Sequence, residues 1–126
     1  MRTLGWAMAA LLLWAPGLSR AQLWDFWLGR HTDVAVGTQA TTFYNQNIVL
    51  RALTDGAPAW DAIVEERFPM AALNDRHVYF DAVGDAARLE ANMAAMAVSC
   101  GRFIDFSGLT LMNCGEYRFG GWRDAD

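Results

Sequence analysis

Two short stretches place an imidazole and a carboxylate two residues apart: "HTD", with His31 and Asp33, and "DRH", with Asp75 and His77. On an extended strand, residues i and i+2 share a face, so each pair would project side by side. If the two strands were neighbours, the four side chains would suit a divalent transition metal such as zinc, or one pair would act as a general acid–base couple. The competing reading makes them solvated loop ends and turn caps, the commoner use of aspartate in such places, and it is preferred. The chain has no Gly-x-Ser-x-Gly, no phosphate-binding glycine loop and no His-Glu-x-x-His. The expectation is a non-enzymatic protein with no cofactor and no metal; a metal-dependent enzyme using His31, Asp33, Asp75 and His77 is the alternative.

The two cysteines, Cys100 and Cys114, are separated by thirteen residues, and their chemistry depends on the compartment. The N-terminus reads as a secretory signal peptide over residues 1–21. Arg2 precedes a twelve-residue apolar run, Leu4 to Ala15, then a break at Pro16-Gly17, then Ser19-Arg20-Ala21 with small residues where an exporting peptidase reads. Such a run is too short to span a bilayer, which takes ~20 residues. A periplasmic or secreted protein of 105 residues, 22–126, is expected, sized for one domain. In an oxidising compartment the default for a lone pair is a disulfide. Closing that loop would add ~3 kcal/mol in the chain-entropy model. Two cysteines with no Cys-x-x-Cys spacing and no nearby histidine pair fit neither a redox motif nor a structural zinc site.

Charge narrows the partners. The full chain carries a formal charge of −4, and removal of Arg2 and Arg20 with the signal takes it to −6. Nucleic acid needs concentrated positive charge, so no nucleic-acid partner is expected, and no stable membrane span after signal cleavage.

The elements that would position these residues are partly legible. "GDAARLEANMAAMAVSCG" sets Leu89, Met93, Met96, Ala97 and Cys100 at helical spacing, with Asp85 as N-cap and Gly101 as a left-handed stop. Beyond it, "RFIDFSGLTLMN" alternates as a hairpin about Ser107-Gly108, which would tie Cys114 back to the helix end. "APAWDAIVEERFP" reads as a short helix opened by Pro58 and ended by Pro69, with Trp60, Ile63, Val64 and Phe68 on one face. "RHVYFDA" alternates as a strand over Arg76 to Ala82. Residues 38–54 fit either a helix, through Phe43, Leu50 and Leu53, or strands, through their Thr, Val and Ile content; helix is preferred. Short strands around Asp33 to Val36 and Tyr117 to Phe119 complete an α+β domain. Its four- or five-stranded antiparallel or mixed sheet would carry two or three helices mainly on one face.

The stretch "LWDFWLGRH", Leu23 to His31, resembles the start of lipocalin-like barrels, where an Asp-Phe-Trp-x-Gly run leads into the first strand; His31 stands where that pattern has tryptophan. The resemblance implies a ligand carrier with an apolar cavity. The same segment concentrates Trp24, Phe26 and Trp27, which would pack onto the domain, line a pocket or meet a partner. Function is therefore expected to be binding, either of an envelope protein or of a small apolar ligand.

Overall fold

The computed structural model describes residues 1–119. Four strands form one antiparallel sheet: β1 (Trp6–Leu12), β2 (Phe43–Ile48), β3 (Ala62–Phe68) and β4 (Thr110–Cys114), in the spatial order β2-β3-β1-β4. Between β1 and β2 runs a continuous helical stretch made of α1 (Arg20–Trp24), a π-helical segment (Asp25–His31) and α2 (Thr32–Thr38). Between β3 and β4 lie the short α3 (Arg76–Tyr79) and the long α4 (Ala86–Gly101). Two β-α-β units thus interleave, each leaving a gap filled by a strand of the other, which is the split arrangement called ferredoxin-like. The expected α+β class holds, and the sheet is purely antiparallel.

The apolar run at the N-terminus contains β1, which pairs with β3 from Trp6↔Phe68 to Leu12↔Ala62 and with β4 from Ala7↔Cys114 to Leu11↔Thr110. A strand flanked on both sides must be apolar along most of its length, and this one is. Gly5 starts it with φ +77, and a Cβ there would overlap the Phe68 carbonyl, so only glycine lets the chain enter the sheet at that point. Ser19 and Gln22 form a capping box: Ser19 Oγ accepts from Gln22 N at 3.1 Å, and Gln22 Oε1 accepts from Ser19 N at 2.9 Å.

Several local expectations are corrected. Residues 57–69 do not form a helix; Ala62–Phe68 is the strand β3, buried on alternate residues. The stretch after Thr38 holds strand β2 rather than a helix. Neither segment read as a strand is one: 33–36 is helical in α2, and of 76–82 the first four residues form α3 and the rest a turn, with Asp75 as cap, its carboxylate accepting from His77 N at 2.9 Å. In each case a short segment was decided by the neighbour it pairs or packs with, because its own periodicity supports both states.

α4 is where it was expected, with Asp85 accepting from Arg88 N at 2.9 Å. Gly101 remains helical, and the chain turns after Arg102 through hydrogen bonds from Phe103 N and Ile104 N to Cys100 O. No hairpin forms at Ser107-Gly108. Phe106–Gly108 is a 3-10 turn, Ile104 bridges Trp14, and β4 pairs with β1. Tyr117 makes an isolated bridge with Arg2 in place of a final strand.

The expected disulfide is not formed: both cysteines are free. Cys114 pairs with Ala7 on the open face of the sheet, while Cys100 packs from α4 against the helix-covered face. With the sheet between them, thirteen intervening residues do not bring the sulfurs together. The lipocalin-like expectation also fails, since Leu23 to His31 is helical and the sheet is open, with β2 and β4 as edges.

The core lies between sheet and helices. Ala10, Leu12, Ala62 and Val64 from the sheet meet Trp27, Phe103 and Ile104, with Trp14 edge-on to Trp27 at 4.9 Å between ring centroids. A second cluster stacks Trp6 on Phe68 at 4.9 Å and Phe68 on Tyr79 at 4.5 Å, closing the other end. Among the described residues no helix is long and apolar enough to cross a membrane.

Candidate functional site

The helix-covered face of β3 presents Ala62, Val64, Glu66 and Phe68, all buried. Glu66 thus occupies a core position of a central strand, 5 % exposed. Burial pushes its carboxyl up to about 7, because desolvation penalises the charged form. Oε1 of this carboxyl has no hydrogen-bond partner in the protein.

Glu66 lines a cavity of about 140 Å³ between the sheet and the helices. Met8, Ala10 and Val64 form its apolar floor, and Trp27, Phe103 and Met96 cover it. Tyr44 from β2 and Tyr79 from α3 bring two phenols to its wall. Each phenol oxygen accepts an amide hydrogen bond, Tyr44 from Gln46 Nε2 at 3.4 Å and Tyr79 from Gln39 Nε2 at 3.2 Å. Their own O–H protons are left to donate elsewhere. Burial, with the nearby Glu66 charge as a second cause, holds both phenols well above the ordinary tyrosine range. Cys100, also on the wall, is raised to about 11 for the same two reasons and is a thiol, not a thiolate, at neutral pH.

Two further buried polar atoms without a protein hydrogen-bond partner belong to this lining: Trp27 Nε1 and Gln39 Oε1. Trp27 is wholly buried and Gln39 is 6 % exposed. A buried donor or acceptor left unpaired costs free energy that an apolar side chain of similar size would not. Three such atoms lie among the residues lining this one cavity.

His31 also lines the cavity, buried, with Nδ1 2.8 Å from Ser99 Oγ on α4 and its ring edge-on to Phe103 at 4.8 Å. Desolvation lowers it to about 4, so it is neutral at physiological pH. Its proposed partners are elsewhere. Asp33 sits in the first turn of α2, Asp75 caps α3, and His77 places Nδ1 3.4 Å from Ala82 O. Among the described residues no three His, Cys, Asp or Glu side chains cluster to hold a metal ion.

Of the aromatic trio, Trp27 contributes to the cavity, while Trp24 and Phe26 pack half-buried on the surrounding core. The sequence reading missed Glu66, Gln39, Tyr44 and Tyr79. A signal for Glu66 exists in "AIVEERF": read with a period of two, Ala62, Val64 and Phe68 define a buried face with a carboxylate in it. The helical reading of that segment hid it. No protein-family model and no curated protein matches the chain.

Proposed function

We propose that the protein binds a small, mainly apolar molecule in the cavity between its sheet and helices. The observation that carries this is the cavity itself, about 140 Å³, walled by core side chains and bearing unpaired polar atoms at Glu66, Gln39 and Trp27. An apolar cavity of roughly this volume accommodates a single six-membered ring, as in an engineered core cavity of ~150 Å³ that takes up benzene. Burying such a ring contributes through the area removed from water, and the polar atoms orient it.

The test is a titration of the full chain with toluene, cyclohexanone and phenol, followed by two-dimensional amide NMR. Shifts centred on the Trp27 indole and on residues 62–68 are expected, tighter for cyclohexanone or phenol than for toluene. Val64→Phe, which fills the floor, should remove them while the protein stays folded. Perturbations confined to the surface, or none with any of the three, would overturn the reading.

A further inference from the structure

The cavity holds a carboxyl that the fold does not use. Glu66 makes no ion pair, its Oε1 is unpartnered, and its neighbours on the same strand face are Val64 and Phe68. A glutamine or an aliphatic residue there would fill the space without the desolvation cost of a carboxylate. Buried polar atoms of this kind call for an explanation, and chemistry is one that fits the surroundings. The same cavity is lined by hydrogen-bond donors: the Trp27 indole N–H, which has no acceptor in the protein, and the hydroxyls of Tyr44 and Tyr79, whose oxygens accept from Gln46 and Gln39. A base in an apolar cavity beside several donors is the arrangement that removes a proton from carbon next to a carbonyl and stabilises the oxygen on which charge develops.

We propose that Glu66 is a catalytic acid–base residue that moves a proton within a one-ring carbonyl compound, shifting a β,γ-unsaturated ketone to its conjugated isomer. This rests on the binding reading given above and deepens it. The ionised carboxylate takes a proton from the carbon between carbonyl and alkene. The C–H electron pair forms a new carbon–carbon double bond, and the carbonyl π pair moves onto oxygen, where the donors of Trp27, Tyr44 or Tyr79 meet it. The protonated Glu66 then returns its proton to the γ-carbon as the carbonyl re-forms. One proton leaves and one is restored, the double bond has moved, and no oxidant, reductant or second substrate is consumed. The cavity volume limits the substrate to about one ring, and the scarcity of polar lining selects a neutral compound over a carboxylic acid or phosphate.

Groups facing Glu66 come from each covering element. They are Tyr44 on β2, Tyr79 on α3, Cys100 on α4 and His31 at the end of the π-helical segment, with apolar Met8 and Ala10 on β1. His31 is neutral above pH 5, and the phenols and thiol stay protonated to high pH, so Glu66 is the group among them that changes charge near neutrality. The rate should therefore rise as pH passes through about 7, with one ionisation.

The experiment uses the full chain with cyclohex-3-en-1-one, following the absorbance of the conjugated enone, and cyclohexanone in D₂O, following loss of its α-protons by NMR. Wild type should accelerate both over buffer at the same pH. Glu66→Gln, with its fold intact by circular dichroism, should lose a factor of about 100 or more at saturating ketone, the usual worth of a general base. Glu66→Asp, which keeps a carboxyl on a shorter arm, should retain part of the rate and the same single ionisation. Cyclohexanone bound by wild type without acceleration, or a rate unchanged in Glu66→Gln, would overturn the catalytic role and leave binding standing. No binding of the ketone by wild type would overturn both.

Discussion

His31 and Ser99 share a buried hydrogen bond of 2.8 Å, Nδ1 to Oγ, that ties the helical stretch after β1 to α4 across the top of the cavity. Ser99→Ala should cost about 1–3 kcal/mol, because it leaves a buried imidazole nitrogen without its partner. Urea unfolding at pH 7 measures it, and a loss below about 0.5 kcal/mol would show the bond to be dispensable.

The same imidazole makes the fold acid-sensitive. His31 is lowered from 6.5 to about 4 by desolvation, so the unfolded chain binds its proton first as pH falls. Its contribution is complete above pH 6.5 and is lost between 6.5 and 4, on the order of 3 kcal/mol. His31→Gln should flatten that part of the stability profile, measured by urea midpoints at half-unit steps of pH.

Glu66 acts in the opposite sense. Its folded-state value of about 7 lies above the ordinary 4.5, so the unfolded chain releases the proton first as pH rises. Stability associated with it is present below pH 4.5 and lost by pH 7. Glu66→Gln should therefore be more stable than wild type at pH 8, by about 1–3 kcal/mol, with the difference vanishing near pH 4.5. Equal stabilities at pH 8 would mean that the carboxylate is well solvated in the folded protein.

Unreduced native protein should titrate as two free thiols, and reductant should leave its melting temperature unchanged. Cys114, exposed on β4, should react at least about tenfold faster than Cys100, which is covered by the core and held at about 11. A single slow phase shared by both would contradict their placement on opposite faces.

Deleting residues 1–21 should abolish cooperative unfolding, because it removes the strand to which both β3 and β4 are hydrogen-bonded. Leu12→Ala, at 3 % exposure within that strand, should cost about 2–5 kcal/mol and tests the same packing without removing the chain. A truncated chain that unfolds cooperatively, with sheet content intact by circular dichroism, would refute this.

The α+β class and the long helix were legible because α4 is long enough for its cap, periodicity and alanine content to agree. The shorter segments were not. Leu4 to Ala15 has a length and composition shared by export signals and by strands flanked on both sides, and its pairing with Ala62–Phe68 and Thr110–Cys114 is not written in local spacing. Ala62–Phe68 satisfies a helical and an alternating pattern at once, and the choice between them decides whether Glu66 is seen as a surface charge or as a buried acid. His31 was noticed for its neighbour Asp33, yet its partner is Ser99, sixty-eight positions away, which no local spacing reveals.

The π-helical segment has a genetic corollary. Trp27, His31 and Ala35 are all buried and recur every four residues, longer than the 3.6 of an ordinary helix, and the wider i→i+5 turn keeps them on one side. Loss of a single codon between Trp27 and His31 would let ordinary helical bonding run straight through and leave the three at i, i+3 and i+7, the spacing a 3.6-residue helix keeps on one side. The reading frame and the buried face would both survive. Across variants of this gene, an in-frame deletion of one exposed residue in that stretch should thus spare the cavity more than a polar substitution of Trp27 or Ala35 would.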